Sequence, residues 1–252
     1  MQTLDSIEIR ESRGVRTLHF GSDWVQGAMR VSRPWDLELA YTREMMSALL
    51  LSPSWPVMPS SVLQIGLGAG SLTRFIHQYL PDTHQTVVEV SPAVVSAARQ
   101  MFQLPPCSNR LVIEIAEGAA WVGRTHQSFD LILVDGFDAD SKTGALEDLG
   151  FYEQCRHRLM PGGILVVNLL SRSNHFLNAC MNLDAAFEGR TRLLPQTPGG
   201  NVIALAALDS TIQLHDVTLR ERVATLETQT GLDLMPLVER LMAQGEGLPF
   251  GV

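Results

Sequence analysis

The sequence predicts an α/β fold built on a doubly wound, mostly parallel sheet. Strand-like apolar runs alternate with helical patterns from Ser61 to Leu208, which is the arrangement that successive βαβ units produce. The first of these runs, Val62–Ile65, leads directly into Gly66, Gly68 and Gly70. The length of 252 residues and the hydrophobic content of 45% are sufficient for one large domain with a full core. In such sheets ligands bind at the carboxyl ends of the strands.

The chain is predicted to divide into residues 1–52 and residues 53–252. Alternating or β-rich stretches at Ile7–Arg10, Thr17–Phe20 and Trp24–Gln26 predict a small β unit, too small to fold alone. From Asp36 the pattern becomes helical and stops before Pro53. The second part is then the main α/β domain, with helices at its C-terminal end.

Elements of the main domain follow from apolar periodicity and from Gly and Pro positions. Strands are predicted at 61–65, 85–90, 111–115, 129–134, 164–169 and 202–208, with a short one near 191–194. Helices are predicted at 71–79, 92–102, 118–124, 146–159 and 174–187. Ser71 and Ser91 are the predicted N-caps of the first two helices, and Pro161–Gly163 predicts a helix stop and a tight turn. Two amphipathic helices within 212–243 are predicted to cover the sheet edge or to mediate dimerisation.

The glycine turn is predicted to hold a nucleoside. Gly66, Gly68 and Gly70 allow a ligand to approach the main chain closely. The helix that follows presents free N–H groups. Glu89 ends the next apolar strand, about 20 residues farther on, where an acid accepts hydrogen bonds from both hydroxyls of a ribose.

Further acids end the next two predicted strands. Glu117 suits the edge of a purine beside the backbone N–H of Gly118, although an acid there is also stabilised by a helix N-terminus. Asp135 follows four apolar residues, so its carboxylate is expected to be buried. Because desolvating a charged group costs free energy, an acid at this position indicates a functional role. Asp138 is close enough in sequence to share that space. Among the tryptophans, Trp24 is predicted to be a packing anchor.

Composition excludes several function classes. A net charge of −8 and a pI near 5.3 argue against a nucleic-acid-binding protein. The three cysteines are far apart and predict reduced thiols in a cytoplasmic protein. Because the sequence has no signal peptide and no apolar run of about 18 residues, we expect no membrane association. The histidines and cysteines lack ligand spacing, so no metal site is expected.

The motifs resemble a known family. They are Ile65–Gly70, Val88–Val90, Ala116–Gly118, Phe129–Asp135 and Leu159–Leu165, together with Tyr41–Met46 in the N-terminal helix. They resemble the Rossmann-like fold of S-adenosylmethionine-dependent methyltransferases. More narrowly, they resemble the spermidine synthase (polyamine aminopropyltransferase) family.

This resemblance implies transfer of an aminopropyl group from decarboxylated S-adenosylmethionine to a small amine. It implies that Glu89 binds the ribose and that Glu117, with Gly118, reads the adenine. It also implies that Asp135 is the general base and that Asp138 holds the amine. The family resemblance further implies a homodimer.

Several positions depart from the family pattern, including the three that follow. The family usually has Asp where this chain has Ala69, His or Gln where it has Arg43, and Tyr where it has Thr197. These departures fall at the amine end of the site and leave two alternatives open. One is a small-molecule methyltransferase that uses S-adenosylmethionine. The other is a catalytically weak nucleoside-binding or assembly module.

Overall fold

The N-terminal residues form the small antiparallel sheet that the sequence predicts. The computed structural model describes residues 7–52, 54–136, 144–209, 212 and 218–244. Its first strands are β1 (Ile7–Ser12), β2 (Val15–Phe20) and β3 (Gly27–Arg30), paired in that order. The prediction that Trp24–Gln26 forms the third strand was wrong. These residues belong to the β2–β3 loop, which the bond from Gln26 N to Leu18 O closes at 2.8 Å.

Two short helices follow where one long helix was predicted. They are α1 (Ala40–Met45) and α2 (Ala48–Leu51). The break between them arises because Met46 N and Ser47 N bond to carbonyl oxygens three residues back, Arg43 O and Glu44 O. Bonds of this spacing tighten the turn and end the α-helix.

The main domain is a seven-stranded sheet with helices between its strands. Its elements are β4 (Ser61–Ile65), α3 (Ser71–Tyr79), β5 (His84–Glu89), α4 (Pro92–Met101), β6 (Leu111–Ile115), α5 (Gly118–Arg124), β7 (Phe129–Val134), α6 (Leu149–His157), β8 (Leu159–Leu170), α7 (Phe176–Ala186), β9 (Thr191–Leu193) and β10 (Asn201–Ala207). The strand order is β6-β5-β4-β7-β8-β10-β9. Only the pairs that β10 forms with β8 and β9 are antiparallel among the described strands of this sheet. The predicted α/β fold with a mostly parallel sheet is therefore confirmed.

The winding of the chain reverses at β4. This strand pairs with β5 on one side and with β7 on the other. A cleft opens at the carboxyl ends of the strands where such a reversal occurs. Glu89 ends β5 and Asp135 directly follows β7, so both carboxylates lie at this cleft.

The N-terminal sheet packs beside the same cleft. Leu18 and Met29 are fully buried in a cluster with Leu67, which follows the first glycine of the turn, and with Val94 of α4. This packing holds the β2–β3 loop over the carboxyl edge of the main sheet.

Strand β8 begins earlier than predicted. Pro161–Gly163 was expected to form a tight turn before the strand, but the strand already starts at Leu159. Its register against β7 shifts between Phe129 and Leu131, and Gly162 has a φ of +78°. The predicted turn is therefore a bulge within the strand, for which glycine supplies the backbone conformation.

The C-terminal helices are α8 (Leu219–Thr230) and α9 (Met235–Gln244), as predicted. Val223 and Leu226 of α8 are buried in one cluster with Val166 and Leu205 of the sheet. The two helices therefore belong to the hydrophobic core on one side of the sheet, where α8 packs against α2 and α9. Within the described residues, no helix has the length and apolar character needed to span a membrane.

Candidate active site

The glycine turn brings the ends of β4 and β7 together. Gly66, Gly68 and Gly70 have φ angles of +89°, +52° and +72°. A Cβ atom at Gly66 would lie 2.2 Å from the carbonyl oxygen of Asp135, so only glycine fits there. Helix α3 begins after Gly70, and the hydroxyl of Ser71 donates to the carbonyl oxygen of Ala28. The prediction that Ser71 caps this helix was therefore wrong, because its hydroxyl bonds to β3 instead.

A buried arginine, Arg74, stabilises the glycine turn through hydrogen bonds to three backbone carbonyl oxygens. The Arg74 guanidinium is fully buried and donates to the carbonyl oxygens of Pro34, Ala69 and Phe102. Burial lowers its pKa to about 9. These bonds join the glycine turn to the segment before α1 and to the end of α4.

Glu89 lies directly under the glycine turn. Its carboxylate accepts hydrogen bonds from Leu67 N at 2.8 Å and from Ser91 N at 2.9 Å. Burial raises its pKa, and the backbone N–H groups oppose that change. These bonds fix the side chain at the end of β5, on the lining of a large cavity.

Glu117 and Gly118 lie at the next strand end. The Glu117 carboxylate accepts from Ala119 N at 3.0 Å and Ala120 N at 2.6 Å, and so caps α5. This is the helix-terminus role that the sequence left open. A Cβ atom at Gly118 would lie 2.6 Å from Ile65 Cγ2, so this glycine allows α5 to approach β4. Both residues also line the cavity.

Asp135 is held by two neutral donors. Tyr41 Oη donates to Oδ2 at 3.2 Å, and Asn168 Nδ2 donates to Oδ1 at 2.8 Å. Burial raises the pKa of Asp135 to about 6, against the effect of these two bonds. The carboxylate is therefore ionised at neutral pH but has a pKa close enough to accept a proton.

An amide pair extends behind Asp135. Asn168 Oδ1 accepts from Asn201 Nδ2 at 3.0 Å, and Asn201 N donates to Thr197 Oγ1 at 3.1 Å. Neither Asn168 nor Asn201 was predicted to belong to the site. Asn168 had a detectable signal, since it is the one polar residue within the apolar run Ile164–Leu170.

Two departures from the family pattern have a structural explanation. The Arg43 guanidinium donates to the carbonyl oxygens of Leu37 and Glu38 at 2.8 Å and is not on the cavity lining. Ala69 is 2% exposed, and a Cβ atom at Gly27 would lie 2.6 Å from its Cβ. Strand β3 therefore packs directly on the small side chain at position 69.

The remaining predicted residues differ in outcome. Thr197 lines the cavity. It also closes a turn through its hydrogen bonds to Asn201. Asp138 lies outside the described residues. Trp24 is 55% exposed and lines the cavity, so its prediction as a packing anchor was wrong. Tyr41, quoted only as part of a helix, contacts Asp135 directly.

The cavity is large and acidic. Its volume is about 1460 Å³, and its lining includes the carboxylates of Asp23, Glu89, Glu117 and Asp135. Among the described lining residues there is no Lys, Arg or His. The described residues also contain no group of three or more side chains suited to a metal ion. The charge of this lining favours a cationic ligand.

Comparison with known proteins identifies the family. The model of the spermine/spermidine synthase domain matches residues 38–190. The polyamine aminopropyltransferase of Chromobacterium violaceum is 39% identical over 241 residues, which cover 96% of this chain and 91% of the relative. The chain belongs to the spermine/spermidine synthase family.

Solved structures agree in fold with this family membership. A probable spermidine synthase from Corynebacterium glutamicum aligns with a TM-score of 0.73 at 18% identity, covering 98% of this chain and 93% of that structure. A spermidine synthase in complex with the transition-state analogue AdoDATO aligns with a TM-score of 0.67 at 20% identity, covering 93% and 84%.

Proposed function

We propose that the protein transfers an aminopropyl group from decarboxylated S-adenosylmethionine to a small amine. The amine nitrogen attacks the sulfonium-bound methylene carbon of the aminopropyl group. The carbon–sulfur bond breaks, its electrons stay on sulfur, and methylthioadenosine leaves. Asp135 takes the proton that the amine loses. Because the sulfonium carbon is already electrophilic, the protein mainly orients the amine and keeps it deprotonated.

The observation that carries this proposal is the placement of Asp135. Its carboxylate lies at the end of β7, beside the glycine turn, with a pKa of about 6. Glu89 binds the ribose and Glu117, with Gly118, contacts the adenine at the ends of β5 and β6. Gly66, Gly68 and Gly70 form the floor under the nucleoside. We extend the same proposal to Asp138 as a second carboxylate for the amine.

Cavity charge favours the decarboxylated donor over intact S-adenosylmethionine. The intact donor carries a carboxylate, which needs a cation or several N–H donors when it is desolvated. The described lining supplies acids and no basic side chain. A primary ammonium group and a sulfonium match that lining. The exposed indole of Trp24 adds an aromatic face, which attracts cations.

Ligand-induced stabilisation of the whole chain tests the donor. Thermal unfolding is followed with methylthioadenosine, S-adenosylhomocysteine, S-adenosylmethionine and its decarboxylated form, each at the same concentration. We expect methylthioadenosine and the decarboxylated donor to raise the Tm most, because binding to the folded state alone stabilises it. A larger shift with intact S-adenosylmethionine contradicts the proposal and favours methyl transfer.

Turnover tests the reaction itself. The chain is incubated with decarboxylated S-adenosylmethionine and a series of diamines, and methylthioadenosine release is measured together with the aminopropylated product. We expect both products in equal amounts with wild type. Asp135→Asn should retain methylthioadenosine affinity within a few-fold and lose turnover. If donor binding occurs with no product from any amine, the protein is a nucleoside-binding module instead.

We also propose a cytoplasmic homodimer with no metal requirement. In each chain, residues 1–52 form a small N-terminal unit and residues 53–252 form the catalytic domain. The family resemblance supports the dimer, and the reduced cysteines that the sequence predicts support the compartment. Light scattering on the purified chain measures its mass, and turnover with and without a chelator tests the metal. A monomer, or loss of turnover with the chelator, contradicts the corresponding part.

A further inference from the structure

Asp135 depends on an amide whose orientation is itself fixed. Asn168 is 3% exposed and lies on β8, next to Ile203 of β10 in the antiparallel register. Its Nδ2 donates to Asp135 at 2.8 Å, and its Oδ1 accepts from Asn201 Nδ2 at 3.0 Å. Both polar ends of this buried amide therefore have a partner, and each partner is a different side chain.

The orientation follows from donor and acceptor types. An ionised carboxylate only accepts hydrogen bonds, so Asn168 must present its NH₂ group to Asp135. Its carbonyl oxygen then points away and requires a donor. Asn201 supplies that donor. A neutral amide can rotate by 180° at little cost in shape, so the donor at position 201 reinforces the orientation of Asn168 that the carboxylate selects.

Asn201 is itself well positioned for this task. It begins β10, and one backbone–backbone bond together with one bond to a side-chain hydroxyl closes the turn before it. Thr197 N donates to Asn201 O at 2.8 Å, and Asn201 N donates to Thr197 Oγ1 at 3.1 Å. The turn thus fixes the backbone from which the Asn201 amide extends.

We propose that Asn201 is a positioning residue for Asp135 that acts through Asn168. The inference rests on the proposed function of Asp135 as the base. Asn201 keeps the Asn168 NH₂ group on the carboxylate, and so keeps Asp135 ionised and in one orientation. Among the described residues, Tyr41 is the titratable side chain that hydrogen-bonds to Asp135. Glu89 and Glu117 share the cavity from the neighbouring strand ends.

A double-mutant cycle tests the route of action. The variants are Asn201→Leu, Asn168→Leu and the double variant, assayed for kcat and KM over pH. Asn182→Leu is the matched control, because Asn182 is also a half-buried amide donor, to Glu147 O at 3.0 Å, and is not on the cavity lining. The affinity for methylthioadenosine reports on the nucleoside end of the site.

We expect Asn201→Leu to lower kcat roughly threefold to tenfold, the usual effect of one hydrogen bond. The acid limb of the pH profile should move to higher pH, because the ionised carboxylate loses a fixed donor. Methylthioadenosine affinity should stay unchanged. In the Asn168→Leu background, the change at position 201 should have no further effect, since the two residues act as one unit. Additive losses, or a profile equal to that of Asn182→Leu, overturn the proposal.

Asn201→Asp gives a second and independent test. The new carboxylate competes with Asp135 for the single NH₂ group of Asn168. We expect a larger upward move of the acid limb than with Asn201→Leu, and we expect the Asn168→Leu background to abolish most of it. If the move persists in that background, it is a through-space charge effect and the relay is refuted.

A readout without turnover separates this inference from the proposed function. If wild type transfers no aminopropyl group, the proposed function fails, but the hydrogen bonds remain testable in the free protein. The pH dependence of urea unfolding reports the pKa of Asp135. We expect Asn201→Leu to change the pH dependence of unfolding when Asp135 is present. In the Asp135→Asn background, the same substitution should leave that pH dependence unchanged. An equal change in both backgrounds overturns the inference.

Discussion

Replacing Asp135 with asparagine should change how stability depends on pH. The folded-state pKa of about 6 compares with 3.8 for an ordinary aspartate. A raised carboxyl pKa means that the folded state binds the proton more tightly than the unfolded state. Stability from this group is therefore present below pH 4 and is lost as pH rises through 6. The full loss is at most about 3 kcal/mol, since each pH unit corresponds to about 1.4 kcal/mol.

The asparagine variant cannot lose a proton, so it should not show this loss. Relative to wild type, Asp135→Asn should gain about 3 kcal/mol at pH 8 from this source and about 1.5 kcal/mol at pH 5. Hydrogen bonds that the variant rearranges with Tyr41 and Asn168 contribute similarly at both pH values. The stability gain of Asp135→Asn over wild type should thus be about 1.5 kcal/mol larger at pH 8 than at pH 5, and this difference is the quantity to measure.

Urea unfolding of the ligand-free chain at pH 5 and pH 8 measures it, with fluorescence as the probe and the m-value as a check on two-state behaviour. Glu89 also titrates with a raised pKa, but it is present in both proteins and its contribution cancels in the comparison. If wild type and Asp135→Asn show the same change between the two pH values, burial does not raise the pKa of Asp135. Asp135 is then not a base with a pKa near neutrality.

Four further substitutions test the site. Glu89→Gln replaces an acceptor of two backbone N–H groups by an amide, and calorimetry should show methylthioadenosine binding weakened by at least about tenfold. Ala69→Asp places a charge against Gly27, and urea unfolding should show a loss of about 1–3 kcal/mol rather than improved amine binding. Arg43→Ala should cost about 1–2 kcal/mol of stability through two lost carbonyl contacts, while kinetics show an unchanged KM for the amine. Trp24→Leu should weaken binding of the cationic donor about twofold to fivefold, with methylthioadenosine affinity unchanged.

Sequence periodicity predicted the fold because the strands of a parallel sheet are buried on both faces. Val62–Ile65 is apolar except for Gln64, and Leu131–Val134 is apolar throughout, so both strands could be assigned without tertiary information. The break between α1 and α2 could not be predicted, since it depends on bonds to carbonyl oxygens three residues back. The bulge in β8 was also missed, because Pro161–Gly163 has the composition of a turn and only pairing with β7 makes it part of a strand.

The same distinction applies to the candidate site. Glu89 and Asp135 could be predicted at the carboxyl edge of the sheet because Glu89 ends β5 and Asp135 directly follows β7, so the signal for each lies within one segment of the sequence. Tyr41, Asn168 and Asn201 come from three segments far apart in sequence. Their approach depends on the strand order β7-β8-β10 and on the packing of α1 over the cleft. A single sequence contains no local signal for that order, although a lone amide in an apolar strand marks Asn168 as unusual.

A departure from a family motif changes the charge of the cavity only if the altered side chain points into the cavity. Arg43 differs from the family pattern, yet its guanidinium bonds to Leu37 and Glu38 and leaves the cavity charge unchanged. Ala69 also differs, and its small side chain is matched by Gly27 on the strand that packs against it. Neither change brings a cation into the cavity. The charged side chains that remain on the described lining are all carboxylates, which supports the proposal of a cationic amine as substrate.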